Sequence, residues 1–407
     1  MTGKKLMILG AGVYQVPLIL RAKEMGLETC VVSVVGDYPG ISLADRFYAL
    51  DTRDYESVLK VAQEENISGI CTSGTDVAVQ TIGYICGKMK LPGISWEAAQ
   101  KVTDKWKMKT AFFQGGVATA QFYKVKTVKE VEMLAQSLGY PLMIKAVDSS
   151  GSRGIVRINR KEELSDACEQ VKRISKKEYF LVEEYIQADE IGVDGFVGTE
   201  RIEAFFPHKK FTYKNEGVTV PIGHAFPYEM SMELYQELYR QISLAIQALN
   251  LKNCPFNADV FVKGNKVWII EMGGRTGATC IPELISIYQN RNWYTQIIES
   301  SLGYPVDFRK KTFHPCMAKL LFSTRNGKII QIDREKLDSL TQQGIYWQLD
   351  VQEGMQVEKL KNGTDRIGHV IVETDEEIQL DVYASKVRSC LWLEQGNLEE
   401  LYEKDMQ

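Results

Sequence analysis

Along residues 1–98, short β-rich apolar runs alternate with helical segments. "LMILGAG" (6–12) is an apolar run closing on glycines, which predicts a buried strand. "VPLILRAKEMG" (16–26) carries apolar residues at helical spacing and stops at Gly26. "ETCVVSVV" (28–35) reads as a strand, "DYESVLKVAQEEN" (54–66) as a helix and "ISGICTS" (67–73) as a strand. A strand–helix–strand succession of this kind predicts a parallel sheet. "LPGIS" (91–95) breaks the pattern.

The texture then changes. "SWEAAQKVTDKWKMKTAFFQGG" (95–116) is helical and lysine-rich, and reads as a connector. A compact α+β unit follows. Its strands are "TAQFYKV", "YPLMIKAV", "IVRIN" and "EYFLVEEYI", and its helices are "TVKEVEMLAQSLG", with Thr127 as N-cap, and "KEELSDACEQVKRIS". From Glu190 onward strands dominate, interrupted by an amphipathic helix over 230–250. The last hundred residues read as another α+β segment, starting near "HPCMAKLLFS". The fold class is α/β at the front and α+β behind it.

A chain of 407 residues is too long for one ordinary core and predicts several domains. At 44% hydrophobic, 25% charged and a formal net charge of −4, it is neither disordered nor strongly basic, so nucleic acid is not an expected partner. No apolar run approaches the ~20 residues a membrane span needs, so a cytoplasmic protein without a membrane partner is expected. The eight cysteines form no CxxC or CxxxC and the four histidines are scattered, so free thiols and no zinc site are expected.

"GAGVYQ" imitates a dinucleotide fingerprint. Gly10 and Gly12 fit, but Gln15 stands where the third glycine belongs, and the acid after the second strand is delayed to Asp37. A plain strand-to-helix turn is the expected reading.

Three other stretches carry chemistry. In "PLMIKAVDSSGSRGIVRI", Lys145 sits on an apolar strand before a loop of small residues: Ser149, Ser150, Gly151, Ser152, then Arg153 and Gly154. Small residues let backbone N–H groups close around an anion, and a lysine between Ile144 and Ala146 is costly to bury unpaired, so phosphate is a natural partner. In "FLVEEYIQADEIGVD", extended backbone leaving a strand can bond a purine edge, with Glu190 in reach of ribose hydroxyls. In "FNADVFVKGNKVWIIEMGGR", a hairpin carries Asp259 and Glu271. The two acids face each other if the loop holds three residues or a bulge shifts the register. An unbulged Gly-Asn turn would pair Ala258 with Glu271 instead and put the acids on opposite faces. We expect the facing arrangement, with hard cations between the carboxylates.

The order of these motifs resembles the ATP-grasp superfamily: Asp104-Lys105 in the connector, Lys145 before a small-residue loop, "VEEYI" with Glu190, Asp259, then "IIEMGGR". The resemblance spans the chain. It implies a Rossmann-like N-terminal domain (1–98), a helical connector (99–120), a central lid (121–187), a C-terminal antiparallel-sheet lobe with the metal site (188–309) and an additional α+β segment (310–407). It also implies ATP with Mg²⁺ or Mn²⁺. Lys105 and Lys145 would contact the phosphates, under a loop of Ser149, Ser150, Gly151, Ser152 and Arg153. Glu183, Glu184 and the backbone near Ile186 would hold adenine, and Glu190 ribose. Asp259 and Glu271 would ligate the metal, and Arg275 would steady an acyl phosphate. The family usually has Asn two residues after the second acid; here Gly273 stands there, so one metal should lose a ligand.

The chemistry implied is ligation of a small-molecule carboxylate to an amine through an acyl phosphate, in a homodimer. Within the superfamily, the length and C-terminal segment look most like amino-acid ligases. "VPIGHAFP", read as a loop, contributes His224, which would reach the phosphate site in those enzymes. The alternatives are a bicarbonate-phosphorylating carboxylase or carbamoyl-phosphate-type enzyme, a purine-pathway ligase, or an ATP-binding regulator that has lost catalysis, for which Gly273 is the only support.

Overall fold

The computed structural model describes residues 3–149, 151, 154–215, 218–308, 312–343 and 345–406. The chain divides into two compact units. The first comprises Met1–Pro207, Glu229–Gly277 and Tyr294–Arg309, the second His208–Tyr228, Ala278–Trp293 and Lys310–Gln407.

In the first unit, the opening residues form a four-stranded parallel sheet in the order Arg46–Ala49, Glu28–Ser33, Lys5–Leu9, Gly69–Cys71. Leu6 to Leu9 are fully buried, as an inner parallel strand requires. The expected helices are Val16–Glu24, with Pro17 in its first turn, and Tyr55–Glu65, capped by Asp54. The sequence reading missed two elements. Arg46–Ala49 is an edge strand with exposed ends, a half-buried middle and no apolar run. Val79–Met89 is a helix whose Gly83 hides the pattern; a Cβ there would lie 2.8 Å from that of Ala99, so glycine is what lets the next helix pack close.

The helical connector is built of two helices. Trp96–Val102 is capped by Ser95, and Asp104 then caps Lys105–Gln114 by accepting from the Lys107 N–H at 3.0 Å. Next comes a four-stranded antiparallel sheet in the order Phe122–Val125, Phe180–Glu184, Leu142–Lys145, Ile155–Ile158. Its helices Val128–Leu138 and Leu164–Ile174 close a core of Val131, Ile144, Val171 and Val182. Thr127 caps the first of them in a full capping box with Glu130. A third sheet pairs Asp189–Val197, Cys254–Lys263 and Lys266–Gly273, all antiparallel, under helix Met232–Leu249.

In the second unit, Val218–Phe226, Cys316–Phe322, Arg366–Val372 and Tyr346–Leu349 form consecutive antiparallel strands. Helices Arg334–Gln342, Glu377–Arg388 and Leu398–Met406 and a four-stranded sheet that includes Gly327–Ile332 and Leu391–Leu393 gather around Leu321, Val370, Leu380 and Leu391, and helix Ile281–Tyr288 belongs to the same unit. "VPIGHAFP" is corrected here: His224 lies on strand Val218–Phe226 and not in a loop. Pro221 is accommodated beside a bulge, where the pairing with the preceding strand shifts between Phe211 and Thr212. All eight cysteines are free and buried. No helix among the described residues is long and apolar enough to cross a membrane.

Candidate active site

The site begins with alternation along three paired strands. Glu190 pairs with Phe261, Gly192 with Asp259 and Asp194 with Asn257; Asp259 in turn pairs with Glu271, and Asn257 with Gly273. Directly paired residues share a face, so Glu190, Asp194, Asn257, Asp259 and Glu271 stand on one side of the sheet. The opposite side carries Ile191, Val193, Phe256, Ala258, Val260 and Met272, all buried. The turn has two residues, Gly264 and Asn265, between the paired Lys263 and Lys266. The facing of the two acids is produced by a register shift between Asp259 and Val260, which leaves Ile270 unpaired.

Helix Lys105–Gln114 brings basic groups to this region. Lys105 Nζ lies 3.1 Å from Glu271 Oε2 and donates to the Ser149 carbonyl at 2.7 Å. Burial alone would lower the Lys105 pKa; the Glu271 contact, together with the charges of Asp76 and Glu183, outweighs it and holds the pKa above the ordinary lysine value. Lys145 Nζ donates to Glu183 Oε2 at 2.7 Å. Burial would raise the Glu183 pKa, but the charges of Lys109 and Lys145 hold the carboxyl below its usual range.

The small-residue loop leaves and rejoins the sheet through the Ala146 N–H, which donates to the Gly154 carbonyl at 2.8 Å. Gly151 and Gly154 have φ of +65° and +67°, a region that favours glycine. Ser150, Ser152 and Arg153 lie outside the described residues.

"GGRTG" is tied down on both sides. Arg275 Nη2 bonds Asp76 Oδ2 at 2.8 Å, and Nη1 donates to Asn257 Oδ1 at 2.9 Å. Burial would lower the Arg275 pKa, but Asp76 drives it above the ordinary value. Asp194, fully buried, accepts from Asn257 Nδ2 at 2.6 Å and from the Gly277 N–H at 2.8 Å. A Cβ at Gly273 would stand 3.1 Å from Asp76 Oδ1, so the space an Asn would use there borders the Asp76–Arg275 pair.

Glu183 is buried with lysines as its partners, where a purine edge was expected. Glu184 accepts from the Gln121 N–H at 2.9 Å, and Ile186 is half-buried just past the strand. His224 belongs to the second unit, where its ring meets His208 edge-on at 4.7 Å; burial pushes its pKa far down. In "GAGVYQ", Gln15 Oε1 accepts from the Gly12 N–H at 2.9 Å, and its Nε2 donates to the Ser73 carbonyl. The N–H that would cradle a pyrophosphate is taken.

Sequence reasoning missed Lys109, Asp76 and Asp194. Lys109 carried a signal: it lies four residues after Lys105, on the same helix face, among Met108, Ala111 and Phe112. Asp194 is an acid inside the apolar run "IGVDGFV", too costly to bury without a partner. Asp76 follows a parallel strand at its carboxyl end, where ligands of such sheets gather.

Asp259 and Glu271 suit a hard cation: two carboxylates on one face, with oxygen donors only. Among the described residues no three His, Cys, Asp or Glu side chains gather to hold a metal unaided, so such an ion would also need oxygens from a bound ligand.

Residues 138–283 match the model of the ATP-grasp domain. The chain is 26% identical over 315 residues to the formate-dependent phosphoribosylglycinamide formyltransferase of Wolinella succinogenes, covering 74% of this chain and 77% of that protein. Phosphoribosylglycinamide synthetase from Anaerococcus prevotii superposes with a TM-score of 0.77 at 29% identity, over 96% of this chain and 99% of that one. L-amino acid ligase from Bacillus licheniformis superposes with a TM-score of 0.81 at 16% identity, over 97% and 99%, a likeness of fold alone.

Proposed function

Because this chain is an ATP-grasp enzyme, we propose that it is an ATP-dependent ligase of the purine-pathway kind, joining a small carboxylate to an amine borne by a phosphoribosyl compound. The observation that carries this reading is the agreement of two relatives. One aligns over 74% of the chain, the other superposes on 96% of it, and both are named for phosphoribosylglycinamide. The amino-acid-ligase expectation, drawn from the chain's length and C-terminal segment, has beside it only a fold likeness at 16% identity and gives way to this reading.

In the proposed reaction, a carboxylate oxygen attacks the γ-phosphorus of ATP and ADP leaves. The amine nitrogen then bonds the acyl carbon, the C–O bond to phosphate breaks, and the amine proton leaves with solvent. Such chemistry needs positioning and charge neutralisation more than covalent help. Lys105 and Lys145 would hold phosphate oxygens, and Glu190 the ribose. Arg275 would clamp the acyl phosphate, held in place by its ion pair with Asp76. Asp259 and Glu271 would hold Mg²⁺, which would supply neutralisation of the phosphate charge.

The test is ADP release from Mg-ATP with formate, glycine or bicarbonate, each offered with and without a phosphoribosyl amine, beside pairs of amino acids. Turnover that requires a phosphoribosyl amine and one carboxylate is expected. Turnover with two amino acids and no phosphoribosyl compound would overturn the reading.

A further inference from the structure

Lys109 is 2% exposed, one helical turn beyond Lys105. Its Nζ donates to Thr119 Oγ1 at 2.6 Å, and that hydroxyl donates to the Ile269 carbonyl at 2.6 Å. Lys109 Nζ also lies 3.5 Å from Glu183 Oε2, the oxygen that accepts from Lys145. The second oxygen, Glu183 Oε1, is buried with no hydrogen-bond partner among the described residues. Two buried lysines thus share one carboxylate oxygen.

This arrangement poses a problem for phosphate binding. If Lys145 turns to a phosphate, Glu183 gives up its best hydrogen bond. A buried carboxylate left without a counter-ion is strongly unfavourable. Lys109 prevents that, because Thr119 anchors it to the strand Lys266–Gly273 and it has no expected phosphate role of its own. The charged groups acting on it are Glu183, Lys145 and Glu271, each from a different strand. Burial pushes its pKa down to about 8, against the opposing pull of the Glu183 charge.

We propose that Lys109 is a positioning residue: the standing counter-ion of Glu183, which lets Lys145 exchange that carboxylate for nucleotide phosphate. The inference rests on the reading of Lys145 as a phosphate contact, and Lys145→Met tests that reading separately.

The experiment is calorimetric titration of the full chain with Mg-ADP. Lys109→Met is expected to weaken ADP binding at least about tenfold, since Lys145 is then held by Glu183. Lys109→Arg should bind within about threefold of the parent, keeping the charge. Lys109→Met combined with Glu183→Gln should recover binding, because the buried charge leaves with its partner; a merely structural role for Lys109 would give no such recovery. Parent-like binding by Lys109→Met overturns the proposal, as does a folded double variant that stays weak. If Lys109→Met fails to fold, the double variant decides alone. Undiminished binding by Lys145→Met would remove the phosphate reading of Lys145 instead.

Discussion

Asp259 and Glu271 face each other across a hairpin only because Ile270 is bulged out of register. The two-residue Gly264-Asn265 turn would by itself set Glu271 against Ala258. The bulge rotates the end of the strand and brings the second acid to the polar face, next to Lys105.

Asp259→Asn and Glu271→Gln should each lower the affinity of Mn²⁺ for the nucleotide complex at least about tenfold, since loss of even an outer-sphere partner costs that much. Electron paramagnetic resonance of free Mn²⁺ in the presence of ADP reads this directly. Unchanged Mn²⁺ binding in both variants would remove the metal assignment.

Arg275→Ala should reduce kcat roughly 10²–10³-fold, about 3–4 kcal/mol, with ADP affinity nearly intact, as expected for a contact made to the intermediate. A fall in ADP affinity with kcat preserved would place Arg275 at the nucleotide instead. Gly273→Asn, which introduces the residue the family resemblance leads one to expect there, should disturb the Asp76–Arg275 pair and lower kcat, because the new Cβ meets Asp76 Oδ1. A gain in activity would show that the pair gives way freely.

Gln15→Ala should destabilise the chain by about 1–3 kcal/mol in urea unfolding, because it strands the Gly12 N–H and the Ser73 carbonyl. It should create no affinity for NADH, measured by fluorescence. An unchanged urea midpoint would show that water replaces the glutamine.

Burial, with the nearby Arg366 charge, pushes the His369 pKa down to about 3. Between pH 6.5 and 3 the unfolded chain binds a proton that the folded chain refuses, so stability falls as pH falls through that window. The loss from His369 should be at most about 1.4 kcal/mol per pH unit, with His224 adding to it in the same direction. The protection factors of strand Arg366–Val372 against hydrogen exchange should fall from pH 7 to 5, and His369→Asn should flatten the trend. Equal pH dependence in parent and variant would refute it.

Local pattern alone was enough for the parallel opening sheet, the Thr127 cap, the lysine before a small-residue loop and the presence of two acids on a hairpin. These follow from nearest-neighbour sterics and from periodicities of 2 and 3.6, which a chain carries in its order of residues. Tertiary structure decided which charges meet. Glu183 lies 38 residues from Lys145 and 74 from Lys109, and Asp76 lies 199 from Arg275. No periodicity links such positions. Their pairing is settled by which strands lie adjacent and by the cost of leaving a buried charge alone, and that cost exists only once the chain has folded around it.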